Sequence, residues 1–136
     1  MKILMDNTTK NNITFTSKTG KITIFNSHIE YQLLPTADTP SLKDLQKELD
    51  FMITHLKGKK LPLLGDNRNL KNIDPNLVNF MREKSGLFTN KAAILVNPGI
   101  SKFLFHSMLL IKKTDYPIKA FTNKQKALNW LLNNEM

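Results

Sequence analysis

The chain has 136 residues, 40% of them hydrophobic, enough for one domain with a core and too apolar for a disordered or fibrous segment. It contains no cysteine, which excludes disulfides and thiolate metal sites and fits a cytoplasmic setting. The formal net charge is +9, and no apolar run approaches the ~20 residues of a membrane span.

Residues 1–12 are polar and read as a flexible N-terminus, with 13–136 as a single domain and no linker. The apolar part of Met1-Lys2-Ile3-Leu4-Met5-Asp6 is too short for a signal-peptide core. Ile13-Thr14-Phe15-Thr16 alternates and is β-branched, Lys18-Thr19-Gly20 supplies a turn, and residues 21–25 alternate again. After a second turn at Asn26-Ser27-His28, residues 29–34 form a third strand ended by Pro35. This first third reads as an antiparallel meander.

Thr39 or Ser41 can cap a helix with Pro40 near its start. Leu42, Leu45, Leu49, Met52 and Leu56 recur at spacings of three and four and mark its apolar stripe. Lys57-Gly58 is a helix stop. Residues 61–65 then read as a buried strand. Asp74 caps a helix with Pro75 at its first position, turning Leu77, Phe80 and Met81 inward as far as Ser85-Gly86. Residues 91–96 are a near-continuous apolar run of the kind found in parallel sheets. Asn97-Pro98-Gly99 breaks it, residues 101–113 form a strongly apolar helix, and 118–121 a last short strand. Thr122-Asn123 opens a final helix that buries Ala127, Leu128, Trp130 and Leu131. The order predicts an α/β fold: a mixed sheet whose antiparallel meander leads into parallel strands, flanked by about four helices.

The loop from Asp66 to Pro75 is the leading candidate site. Strand ends and neighbouring helix starts are where ligands and partners meet an open α/β sheet. Asp66, Asn67, Arg68, Asp74 and Pro75 are its candidate partner-binding residues, but it holds no nucleophile and no histidine. Asp74 reads first as a helix cap, Asp66 as a holder of loop amides, and Arg68 as a solvated charge or the partner of Asp66. Asn97, Gly99 and Ser101 form a second strand-to-helix turn with amides open to an anion. It lacks the glycines and the Gly-Lys-Ser/Thr ending of a phosphate loop, so a structural turn is favoured.

The residues 66–75, with a strand ending in aspartate and a second aspartate opening the next helix, resemble the loop of STAS domains, the anti-sigma-factor-antagonist fold. The ending Tyr116-Pro117-Ile118-Lys119-Ala120-Phe121-Thr122, followed by Ala127-Leu128-Asn129-Trp130-Leu131, is similar to small STAS-like bacterial proteins of unassigned function. The likeness spans residues 13–133. It implies a regulatory module that works by protein–protein contact. STAS antagonists are switched by phosphorylation of the serine after the second aspartate, and Pro75 stands there in this chain.

Other chemistries find little support. Eighteen of the 20 basic residues are lysine, with arginine only at Arg68 and Arg82, which argues for a solvated surface over nucleic-acid readout. His28, His55 and His106 have no metal-pair spacing, and Ser27-His28 adjacency carries no weight, since a triad is assembled in space and needs an orienting acid and an oxyanion hole. No dinucleotide fingerprint follows any strand. The expectation is a non-enzymatic module with no cofactor and no metal. Phe103, Phe105, Met108 and their neighbours cover more than one face of the 101–113 helix. That surplus points to a homodimer contact or, alternatively, to a carrier of a lipid or other apolar small molecule.

Overall fold

The computed structural model describes residues 12–35, 40–69, 74–98 and 115–133. Six strands form one sheet in chain order: β1 (Ile13–Thr16), β2 (Gly20–Ile24), β3 (Ile29–Leu33), β4 (Leu63–Asp66), β5 (Ala92–Leu95) and β6 (Ile118–Phe121). β1, β2 and β3 pair antiparallel, whereas β3 to β6 run parallel. The meander and the parallel half expected from the sequence are both present. Three α-helices lie among the described residues: α1 (Leu42–Leu56), α2 (Pro75–Lys84) and α3 (Lys124–Leu132). The fourth helix expected, over 101–113, falls outside the described residues, as does the N-terminal stretch 1–11.

Side chains alternate across the sheet and divide the core in two. Ile22, Ile29, Leu63, Ala92 and Ile94 face α1 and α2 and join Leu49, Met52 and Leu56. Leu64, Ala93 and Leu95 face the other way and pack on Ala127 and Leu131 of α3. Phe121, Leu128 and Trp130, themselves only partly buried, pack against that second cluster.

Helix α1 starts at a capping box. Ser41 Oγ accepts from the Asp44 amide at 3.0 Å, and the Asp44 carboxylate accepts from the Ser41 amide at 3.4 Å. Leu45, Leu49, Met52 and Leu56 are buried, each worth roughly 1.5–3 kcal/mol. Leu42, expected on the same stripe, is 49% exposed, because the buried arc is displaced toward Glu48, which is 1% exposed. The helix ends where Lys57 and then Gly58 enter the left-handed region. β4 begins two residues later than expected. Pro62 has no N–H to give the ladder and contributes only its carbonyl, which accepts from the Ile29 amide at 2.8 Å.

Glu48 is held in a buried polar cluster between α1 and the β1–β2 turn. Ser17 Oγ donates to its Oε2 at 2.8 Å, and the Tyr31 hydroxyl donates to the same carboxyl. Glu48 Oε1 and Thr19 Oγ1 are enclosed with no partner among the described residues. A side chain at Gly20 would place its Cβ 2.6 Å from the Tyr31 hydroxyl and 2.8 Å from Glu48 Oε2, so the cluster depends on glycine there. Burial raises the Glu48 carboxyl above its usual range, and the negative charge of Asp44 adds to this. The hydrogen bonds from Ser17 and Tyr31 oppose the shift without cancelling it.

A carboxyl raised on folding weakens the fold as pH rises through its unfolded value near 4.5. Glu48→Gln is therefore expected to gain stability relative to the wild type as pH goes from 5 to 8. The gain is on the order of 1 kcal/mol, or about 4 °C in Tm. Thermal unfolding across that range measures it, and a difference that does not change with pH would contradict the assignment.

Candidate functional site

The carboxyl ends of β4 and β5 bring Asp66, Arg68 and Asn97 together. Arg68 clasps Asp66 through both ends of its fork, Nε to Oδ1 at 2.9 Å and Nη2 to Oδ2 at 2.7 Å. Its amide also donates to Asp66 Oδ1 at 3.1 Å. Asn97 Nδ2 donates to the Arg68 carbonyl at 2.6 Å and ties the loop to the end of β5. Asn69 Nδ2 donates to the Leu33 carbonyl at 2.9 Å and ties it to β3. Both readings of this pair made from the sequence are present: Asp66 holds a loop amide and is the partner of Arg68.

Burial acts to raise the Asp66 carboxyl, but the hydrogen bonds and charge of Arg68 outweigh it and hold Asp66 below its usual value. Lys124 at the start of α3 adds a smaller attraction, which places Asp66 on the α3 side of the sheet. Asn67 and Asp74 point elsewhere. They line a chamber on the opposite face, beneath α2. Asp74 caps α2 by accepting from the Asn76 amide at 2.8 Å, and Pro75 occupies the first turn, exposed. The candidate residues of the loop thus split between two faces. Gly99, Ser101, Phe103, Phe105 and Met108 lie outside the described residues.

The chamber has a volume of about 200 Å³ and was not foreseen from the sequence. The carrier alternative would place an apolar cavity beneath the 101–111 segment, which lies outside the described residues. The observed one lies between α1, α2 and the middle of the sheet. Its cause is local. On the helix-facing side of β4 and β5, Gly65 and Ala92 present almost no side chain. Helix α2 above them has no fully buried residue: Leu77, Val78 and Met81 are only partly covered. Small residues below and a helix standing off above leave unfilled space between the layers. Phe80, expected to turn inward, is likewise only partly buried.

Polar groups reach the chamber at a few points. The Tyr31 phenol lines it and also meets Glu48, and burial, with the adjacent Glu48 charge, keeps that hydroxyl protonated far above its usual range. Ser85 and Tyr116 join their hydroxyls at its side. Burial raises Tyr116, an effect that the Ser85 hydrogen bond opposes. Arg82, which the sequence marked only as one of two arginines, lines it from the last turn of α2. Glu48 had a legible signal: it is an acid three residues after Leu45, on the buried side of an amphipathic helix.

Ser27, His28 and Glu30 form a hydrogen-bonded line, Ser27 Oγ to His28 Nδ1 at 2.7 Å and His28 Nε2 to Glu30 Oε2 at 2.9 Å. Glu30 of β3, two residues after His28, is thus the acid beside its ring. All three groups sit at the β2–β3 turn, and none lines the chamber. Phe25 stacks on the His28 ring at 5.0 Å, and Lys124 approaches Glu30 at 3.6 Å. This line fastens the turn to α3. Among the described residues no group of three potential metal ligands occurs, and no helix is long and apolar enough to cross a membrane.

A carboxyl lowered on folding adds stability above its unfolded value and loses it as pH falls through the folded one. Arg68→Ala is thus expected to raise the Asp66 carboxyl toward its ordinary value near 3.8 or above, as read by carbon-detected NMR titration. Arg68 is 45% exposed, so the accompanying loss of stability at neutral pH should stay within ~1 kcal/mol. An Asp66 titration unmoved by the substitution would show that the pair does not form in solution.

Residues 29–135 match a family described as a domain of unknown function, DUF7793. The match starts at β3 and takes in every residue lining the chamber, whereas Ser17 and Gly20 of the Glu48 cluster precede it. No curated protein and no solved structure matches the chain. By this coverage the chain belongs to the DUF7793 family.

Proposed function

We propose that this domain is a non-enzymatic binding module: it takes a small apolar molecule into the chamber beneath α2 and signals occupancy to a protein partner through the 66–75 loop. The observation that carries this reading is the chamber itself, about 200 Å³ of mostly apolar space over Gly65 and Ala92. Apolar cavities of about 150 Å³ already bind benzene or xenon in other proteins. Asn67 and Asp74 belong both to the loop and to the chamber lining, so a ligand that reseats α2 also acts on the loop. The resemblance to STAS domains supports a regulatory role for that loop. Pro75 in place of the phosphoserine points to a switch other than phosphorylation.

A second reading, a scaffold that works by protein contact alone, draws on the other face of the same loop. The clasp between Asp66 and Arg68, fixed to β5 through Asn97, presents an ordered and partly exposed charged surface. Such a surface recognises a partner without any ligand.

Titration of the isotope-labelled full chain with toluene separates the two. Amide shifts are expected at Val78, Met81, Phe88 and Ile94, with smaller ones at residues 66–69. Ala92→Leu should abolish them by filling the chamber, while the rest of the spectrum stays folded. A spectrum unchanged by toluene, or shifts that persist in Ala92→Leu, would remove the ligand-binding reading and leave the scaffold.

A further inference from the structure

We propose that the ligand of the chamber is a small apolar acid whose single carboxylate is received by Arg82. This rests on the reading that the chamber binds a ligand, and it adds the ligand's chemistry. Arg82 lines the chamber from the last turn of α2. Its Nη1 donates to Asn79 Oδ1 at 2.9 Å, one turn back along the helix. Its Nε is enclosed and has no hydrogen-bond partner among the described residues. None of the ion pairs among those residues includes it. The contrast with Arg68, whose Nε and Nη2 are both taken by the Asp66 carboxylate, is direct.

A guanidinium keeps its charge at any physiological pH, and an enclosed N–H without an acceptor is unfavourable. Cations near a helix C-terminus are favoured by the helix dipole. That accounts for an arginine in the last turn, but not for an enclosed Nε against an apolar chamber. An anion at this end supplies the opposite charge to that guanidinium. Ser85 and Tyr116, with their joined hydroxyls, add polar groups on the same chamber wall. Asp74, which also lines the chamber, sits eight residues earlier on α2, about 12 Å along its axis. Its carboxylate repels an anion from that end and so orients the ligand.

The size and charge of the site narrow the class. One guanidinium matches one carboxylate in charge and in planar geometry, whereas a phosphate dianion would bring a second charge with nothing to meet it. Leu45, Met52, Leu77, Met81, Phe88 and Ile94 would surround the remainder of the molecule. A volume of about 200 Å³ is below the ~300–1,000 Å³ typical of sites for drug-sized ligands. A single ring or a short chain fills it.

The test compares 3-phenylpropanoate with its uncharged analogue 3-phenylpropan-1-ol, both titrated into the full chain at pH 7 by calorimetry. The acid is expected to bind at least tenfold more tightly than the alcohol. Arg82→Gln should remove that preference by weakening the acid at least tenfold more than the alcohol, and Arg82→Lys should restore part of it. The wild-type comparison does not depend on any variant folding. Equal affinity for the two compounds, or a preference that survives Arg82→Gln, would overturn the role of Arg82. Alcohol binding without a preference for the acid would sink this inference and leave the ligand-binding module standing. If neither compound binds, both fall.

Discussion

Two small residues set the character of this domain. A helix seated on a sheet is held there by side chains that fill the gap between them. Where α2 crosses β4 and β5, the sheet offers Gly65 and Ala92, and the helix answers with residues that are only partly buried. Ile94, opposite Gly65 in the ladder, leans into the missing side chain, its Cδ1 3.1 Å from where a Cβ would stand. The sheet is thereby closed below while the space above stays open. α1, with four large apolar side chains buried, is anchored on the same face, and α3 seals the other. The least tightly packed helix is the one that covers the chamber, and elements with few buried contacts are where local motion is least costly.

The same helix begins at the loop that carries most of the remaining polar chemistry. Asp66 ends β4 on the α3 side of the sheet, and Asn67, one residue on, turns to the chamber side. This alternation sets one short segment against two surfaces. The clasp of Asp66 by Arg68, and the amide of Asn97 on the Arg68 carbonyl, fasten the outer half of the loop to the sheet. On the chamber side, the Asn67 amide donates to the Leu95 carbonyl of β5 at 2.8 Å, and Asp74 caps α2.

Much of this architecture was legible in the sequence because it is set by local rules. Ser41 and Asp74 cap their helices, Lys57-Gly58 stops one, and the apolar run 91–96 lies in a parallel strand, as residue chemistry requires. The clasp between Asp66 and Arg68 was also legible, since the two are near neighbours in one turn. The chamber was not. Gly65 reads as the end of a strand, and nothing in a period of two says that the helix opposite will leave its place unfilled. Glu48 and Arg82 depend on the same non-local packing, although an acid on the apolar side of α1 was a visible irregularity. The line through Ser27, His28 and Glu30 shows the reverse case. Its acid was in plain view, because His28 and Glu30, two residues apart at the start of a strand, share a face.

Xenon under pressure gives the most direct test of the central claim, that open apolar space lies between α2 and the sheet over Gly65 and Ala92. Xenon needs apolar volume and no particular chemistry, so it reports on the chamber independently of any ligand's identity. Diffraction from pressurised crystals is expected to place a xenon atom among Leu63, Val78, Met81 and Ile94. A chamber that takes no xenon, with Met81 or Ile94 folded down over Gly65, would contradict the account.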